Sequence, residues 1–165
     1  RMMTAQKYDR ARLVAELIRD ESERLRTYRC TAGKLSIGVG RNLDDCGITH
    51  AETAELGITV ATCIAHGITQ PQSRALLDHD IDRCEADLDR HLPWWRGIDP
   101  VRQRVLLNMC FNMGIGTLLT FTRTLADIHA GQYASATLDM QQSKWHAEVK
   151  ARAMRLEAMM AFGHS

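Results

Sequence analysis

Leu13, Val14, Leu17, Ile18 and Leu25 recur at three- and four-residue steps, which predicts a helix over 8–24 with Asp9 as its N-cap. Glu21 falls inside the same apolar stripe, four residues after Leu17, three after Ile18 and four before Leu25. Glu23 lies about 200° away on the wheel and is expected in solvent. The period then drops to two. Leu35, Ile37 and Val39 alternate with Ser36, Gly38 and Gly40, as in a half-buried strand. Thr31, Ala32 and Gly33 make the preceding turn, with Gly33 at positive φ, and 28–30 is the partner strand. Ser36, Gly38 and Gly40 share a nearly bare face that a bulky ligand could approach.

Residues 41–68 read as loop with one short helix beginning near Thr49. A long helix over 71–91 follows, capped by Thr69, with Leu77, Ile81, Cys84, Leu88 and Leu92 as its stripe. "PWWRGIDP" breaks the pattern. Pro100 opens a helix that is apolar on most sides through Val101, Val105, Leu106, Met109, Cys110 and Met113, and Gly114–Gly116 ends it. Amphipathic helices are expected over 118–130, 133–142 and 150–162, and no internal repeat is evident. The sum is an α+β fold, mainly helical, with one small sheet.

A chain of 165 residues buries a sizeable core without staples. Its net charge of +1, from 21 basic and 20 acidic residues, argues against a nucleic-acid partner. The five cysteines are an odd number without a Cys-x-x-Cys, which argues against a zinc site or a disulfide framework and for free thiols. No segment approaches the ~20 apolar residues of a membrane span, so no stable membrane insertion is expected. The N-terminal stretch lacks the apolar core of a signal peptide, so a protein acting outside the cytoplasm would need another exit. Arg1, Met2 and Met3 are left aside.

A carboxyl set on apolar surface has its charged form disfavoured, and a glycosidase needs such an acid to protonate a leaving oxygen. The competing reading of Glu21 is a partly buried acid paired with an arginine. The sequence around it then decides the resemblance. Glu21, eight residues, Cys30, five residues, Ser36 resembles the Glu-x8-Asp-x5-Thr pattern of the phage-type lysozymes, glycoside hydrolase family 24, some of which carry Cys in the middle position. "ESERLRTYRCTAGKLSIGVGR", including Tyr28, Gly33, Ile37, Gly38 and Gly40, is similar to that family's hairpin. "LLDHDID", "LLNMCFNMGIGTLLTFTRTL" and the later Trp145, Arg152 and Arg155 carry the likeness over most of the chain, most weakly over 43–68.

The resemblance implies a two-lobed fold: an N-terminal lobe over about 25–75, and a C-terminal helical lobe over about 92–165 with the first helix, joined by the helix over 71–91. It implies Glu21 as general acid with Arg152 beside it, and Asn42, Phe111, Thr124 and Asp139 as contacts to the sugar chain. Phe111 also reads as plain core. Arg41 would pair with Asp80 in a structural role. Ser36 replaces Thr and keeps the hydroxyl. Cys30 replaces Asp, although an inverting hydrolase ordinarily sets a second carboxylate roughly 6.5–9.5 Å from the acid. Cys30 and Ser36 are then expected to hold the attacking water, with covalent attack by the thiolate as the lesser alternative. A Cys30–Cys46 bond that silences the site until reduced is a further alternative to two unconnected thiols.

The implied activity is that of an endolysin. It would hydrolyse the β-1,4 bond between N-acetylmuramic acid and N-acetylglucosamine in peptidoglycan, as a monomer without metal or organic cofactor. It would wait in the host cytoplasm until a holin opens the membrane. Two other readings stand beside it: a lytic transglycosylase using Glu21 alone, and a non-catalytic peptidoglycan-binding module.

Overall fold

The computed structural model describes residues 7–165, so Arg1, Met2 and Met3 lie outside it. The described chain runs α1 (Arg10–Glu21), β1 (Arg24–Arg29), β2 (Leu35–Gly38), β3 (Arg41–Asn42), α2 (His50–Leu56), α3 (Val60–His66) and α4 (Gln70–His91). A 3-10 turn at Pro93–Gly97 precedes α5 (Pro100–Leu118), α6 (Thr122–His129), α7 (Tyr133–Gln141), α8 (Lys144–Val149) and α9 (Ala151–Phe162). The fold is mainly helical α+β with a three-stranded antiparallel sheet in the order β1-β2-β3. By its contacts the chain divides into two compact units, Val14–Asp82 and a second made of residues up to Leu13 with Arg83–Ser165.

In the Val14–Asp82 unit, α1 ends earlier than its periodicity predicts. Asp9 caps it through the Arg12 amide at 3.1 Å, but Ser22 takes φ 65° and turns the chain out of the helix. Glu21 is therefore the last helical residue. Leu25, expected in the helical stripe, is instead an exposed residue of β1. Glu23 is a second correction. Its side chain is only 12% exposed, accepts from Arg74 at 2.7 Å and from Ser73 at 2.8 Å, and has its carboxyl held down to about 2, chiefly by Arg74. The helical wheel could not see a partner some fifty residues downstream.

The segment over 41–68 is more ordered than predicted. It supplies β3, α2 and α3. What organises it is a repeat the pattern reading overlooks: Gly-Ile-Thr at 47–49, 57–59 and 67–69. In each copy the threonine caps the next helix. Thr49 and Thr59 form capping boxes on α2 and α3, and Thr69 exchanges bonds with Gln72 at the start of α4. Each isoleucine joins the cluster of Ile37, Leu43, Ile58, Cys63, Ile68 and Leu76 that forms the core of this unit. Helices of seven residues are too short to print an amphipathic stripe, so caps carry the only signal.

The other unit is helical. Gln103 to Cys110 of α5 are all buried, as expected of a helix apolar on most sides, and the burial extends to polar Gln103, Arg104 and Asn108. A kink at Gly114 interrupts the helix where the Gly-Ile-Gly signal ends it. The helix α9 packs against α5, α7 packs against α9 and α6, and α8, capped by Ser143 through the His146 amide at 3.2 Å, was not anticipated. The stripe of α4 behaves as expected, with Leu77, Ile81, Cys84, Leu88 and the following Leu92 buried. Fully buried Trp95 donates to Asp89 at 2.8 Å, and Glu85 collects Tyr8, Arg10 and Arg96 within 3.1 Å. No single helix among the described residues is long and apolar enough to cross a membrane.

Candidate active site

The hairpin that holds Cys30 and Ser36 is closed by two backbone bonds, Cys30 N to Lys34 O at 3.0 Å and Gly33 N to Cys30 O at 2.8 Å. Gly33 takes φ 78°, as its place in the turn predicts. Across the sheet Tyr28 lies opposite Ser36, and Ser36 opposite Asn42. Directly opposed residues of antiparallel strands share a face, and the two-residue period brings Cys30 to the face of Tyr28. One face thus carries Tyr28, Cys30, Ser36 and Asn42. The other carries Leu35 and Ile37 into the core.

The bare-backbone reading of the glycines needs correction. Gly38 does not lie open: it is buried, and a Cβ there would stand 3.1 Å from the Ser73 hydroxyl of α4. Ser36 is 2% exposed. Only Gly40 makes room for chemistry. A Cβ on Gly40 would come within 3.1 Å of Glu21 Cδ and Oε1, and its φ of 69° disfavours any side chain. The half-buried Glu21 carboxyl therefore packs on naked backbone at the end of the hairpin.

The Cys30 thiol is half-buried. Burial pushes it up, but the amides of Lys34, Ala32 and Cys30 itself, with the Ser36 hydroxyl, outweigh that and hold it below the ordinary thiol value. The Ser36 hydroxyl also reaches the Lys34 carbonyl at 3.2 Å. Cys30 and Cys46 are both free thiols. Asn42 is committed to its own loop, bonding Asp45 through its side-chain amide at 2.9 Å and through its side-chain oxygen at 2.8 Å. Tyr28 had no assigned role in the sequence beyond its place in the family stretch. Its phenol is pushed up by burial and then by the nearby Glu21, with Cys30 adding to the effect and Arg24 and the Gly40 amide opposing it.

Arg41 points the other way, as expected, into a buried ion cluster. It meets Glu52 at 2.7 Å and Asp80 at 2.9 Å, and His79 joins through Glu52 at 2.8 Å.

The remaining predicted residues belong to the second unit. Thr124 and Asp139 line a groove of about 580 Å³ with Phe121, Arg123, Lys144 and Trp145 among its walls. Trp145 is fixed by its bond to Asn112 at 2.8 Å and by the edge of Phe121. Burial, then the carboxyl of Asp127, pushes Asp139 up against the pull of Arg123. Phe111 is half-buried on α5 and is not among the residues lining that groove. Arg152 is buried and donates to Asn108 at 2.9 Å.

Against known proteins, residues 19–159 match the phage lysozyme family model. The chain belongs to the phage lysozyme family. Its activity class is accordingly that of a lysozyme. Among relatives of this lysozyme domain, the pre-baseplate central spike protein Gp5 of Enterobacteria phage T4 is 29% identical over 161 residues, or 92% of this chain. The chain spans only 28% of that protein's length. Probable T4-type lysozymes 1 and 2 of Dictyostelium discoideum are each 25% identical over 153 residues, covering 87% of this chain and 90% of theirs.

Proposed function

We propose that this chain is a muramidase that hydrolyses the β-1,4 bond between N-acetylmuramic acid and N-acetylglucosamine. The observation that carries this reading is the Glu21 carboxyl seated on Gly40 backbone, in the unit whose sheet face presents Cys30 and Ser36. Glu21 gives its proton to the leaving glycosidic oxygen as the C1–O bond breaks. Water, held by Cys30 and Ser36, bonds to C1 and passes its proton to the thiolate. Solvent then restores both groups. The amide cradle under Cys30 supports this role because it favours an anion where relatives carry a carboxylate. Arg152 stands as a supporting residue, and Asn42, Phe111, Thr124 and Asp139 as contacts to the glycan. The enzyme acts as a monomer on peptidoglycan, waits in the host cytoplasm, and reaches the wall after a holin opens the membrane, causing lysis.

The thiol in place of a second acid also favours a second reading, a lytic transglycosylase in which Glu21 works alone. Mass spectrometry of digested sacculi separates the two. Hydrolysis gives reducing ends that incorporate ¹⁸O from labelled water, whereas a transglycosylase gives unlabelled 1,6-anhydro ends. Anhydro ends alone would overturn the hydrolytic proposal. The likeness to a spike protein favours a further reading of place, in which the same chemistry serves a larger particle. Peptides of this chain in purified virions would support that placement over cytoplasmic storage.

A further inference from the structure

Tyr28 stands at the centre of the sheet face, opposite Ser36 on β2 and two residues before Cys30 on its own strand. The Arg24 guanidinium packs over its ring at 4.7 Å and fixes the ring's plane. A side chain at Gly40 would begin 3.1 Å from the Glu21 carboxyl, so that carboxyl packs on bare backbone here, and both it and the Gly40 amide stand near enough to the phenol to act on it. A neutral phenol has one hydrogen to give, and a half-buried one is expected to give it to an acceptor. The groups around it are Glu21 at the end of α1, Arg24 on β1, Cys30 just past the end of β1, the Gly40 amide and, directly opposite on β2, Ser36. Of these, Glu21 and Cys30 are the acceptors that can carry negative charge.

We propose that Tyr28 is a positioning residue of the hydrolytic site, its hydroxyl aimed into the space between the Glu21 carboxyl and the Cys30 sulfur. There it donates to the carboxylate, the thiolate or the water between them. It thereby fixes which oxygen of Glu21 carries the catalytic proton and which way the water's own hydrogens point. This rests on the hydrolytic reading above and adds a fourth residue to the three of the family pattern. A donor of this kind stabilises both anions, so it lowers the pH at which each forms.

Tyr28→Phe keeps the ring under Arg24 and removes only the hydroxyl. On soluble glycan oligomers its kcat should fall about tenfold, the worth of one donor to a charged group, with KM within about twofold. Both limbs of its pH–rate profile should move to higher pH. Iodoacetamide alkylation of Cys30, read peptide by peptide by mass so that exposed Cys46 does not interfere, should likewise shift its midpoint upward. A merely structural tyrosine would lower Tm and move neither limb. Should Tyr28→Phe not fold, trifluorotyrosine at the same position replaces it. Its more acidic phenol loses the hydrogen near neutral pH, and activity should fall as it ionises. A wild-type chain that cleaves nothing overturns the hydrolytic reading and this inference together. A wild type that cleaves, beside a substituted chain with unchanged kcat, pH limbs and Cys30 midpoint, overturns this inference alone.

Discussion

On the face of β2 and β3 that carries Ile37 and Arg41, charge meets charge. Arg41, Glu52 and Asp80 are each 3–4% exposed, and Arg41 bonds Glu52 at 2.7 Å and Asp80 at 2.9 Å. On the opposite face the Cys30 thiol is held by backbone amides and the Ser36 hydroxyl instead. An ion cluster satisfied by its own counter-charges has nothing left to offer a substrate. A thiol cradled by neutral donors keeps its reactivity and gains a favoured anion. The same small sheet therefore separates stability from chemistry by which way its side chains point.

The largest expected effect comes from breaking the stabilising face. Arg41→Leu leaves two buried carboxylates without their cation and should cost about 3–5 kcal/mol in urea unfolding. The turnover of the molecules that remain folded should be unchanged. A loss of turnover without a loss of stability would break the division between faces.

Cys30 sharpens the comparison from the other side. Cys30→Ala should lower cleavage of sacculi by at least about tenfold, as expected for loss of a group that takes a proton in the transition state. Its unfolding free energy should change by less than about 1 kcal/mol. Cys30→Asp, which restores the acid of the family pattern, should retain most of the activity, and Cys30→Ser should fall between. Full activity in all three would remove any chemical role for this residue.

The smallest effect is electrostatic and pH-dependent. Glu23 titrates near 2 in the fold because Arg74 holds it there, against an ordinary value of 4.5. Its contribution is complete above 4.5 and disappears as the pH falls toward 2. Glu23→Gln should therefore flatten the loss of stability across that window in acid-unfolding curves. His79 works with the opposite sign: the Glu52 carboxylate raises it, so its contribution is present below the ordinary histidine value and fades as the pH rises through its own. His79→Gln should remove that alkaline decline and leave the acid one.

What was legible in the sequence tracks length and locality. The helices α4 and α5 print their burial over many turns, and the stripe of Leu77, Ile81, Cys84 and Leu88 needed no tertiary information. The hairpin turn was equally clear, because Gly33 must take positive φ. Of the short helices, α2 was legible through its start near Thr49, but α3 and α8 were not, because six or seven residues make no stripe. Their capping threonine and serine were the signal available. At the site, the Glu-x8-Cys-x5-Ser spacing pointed to Glu21, Cys30 and Ser36, and the sheet register groups the latter two. Two facts lay beyond any periodicity argument. Gly40 leaves its backbone bare for the Glu21 carboxyl, and Glu21 stands near enough to Tyr28 to push its phenol up. Each depends on a strand crossing that only the folded chain supplies.

The most direct test of the account is the release of reducing ends from purified sacculi by equal amounts of folded wild type and Glu21→Gln, which keeps the shape and removes the acid. The wild type should generate reducing ends and the variant essentially none, while both bind the sacculi alike. Equal release from both chains would contradict Glu21 as the proton donor and with it the hydrolytic account.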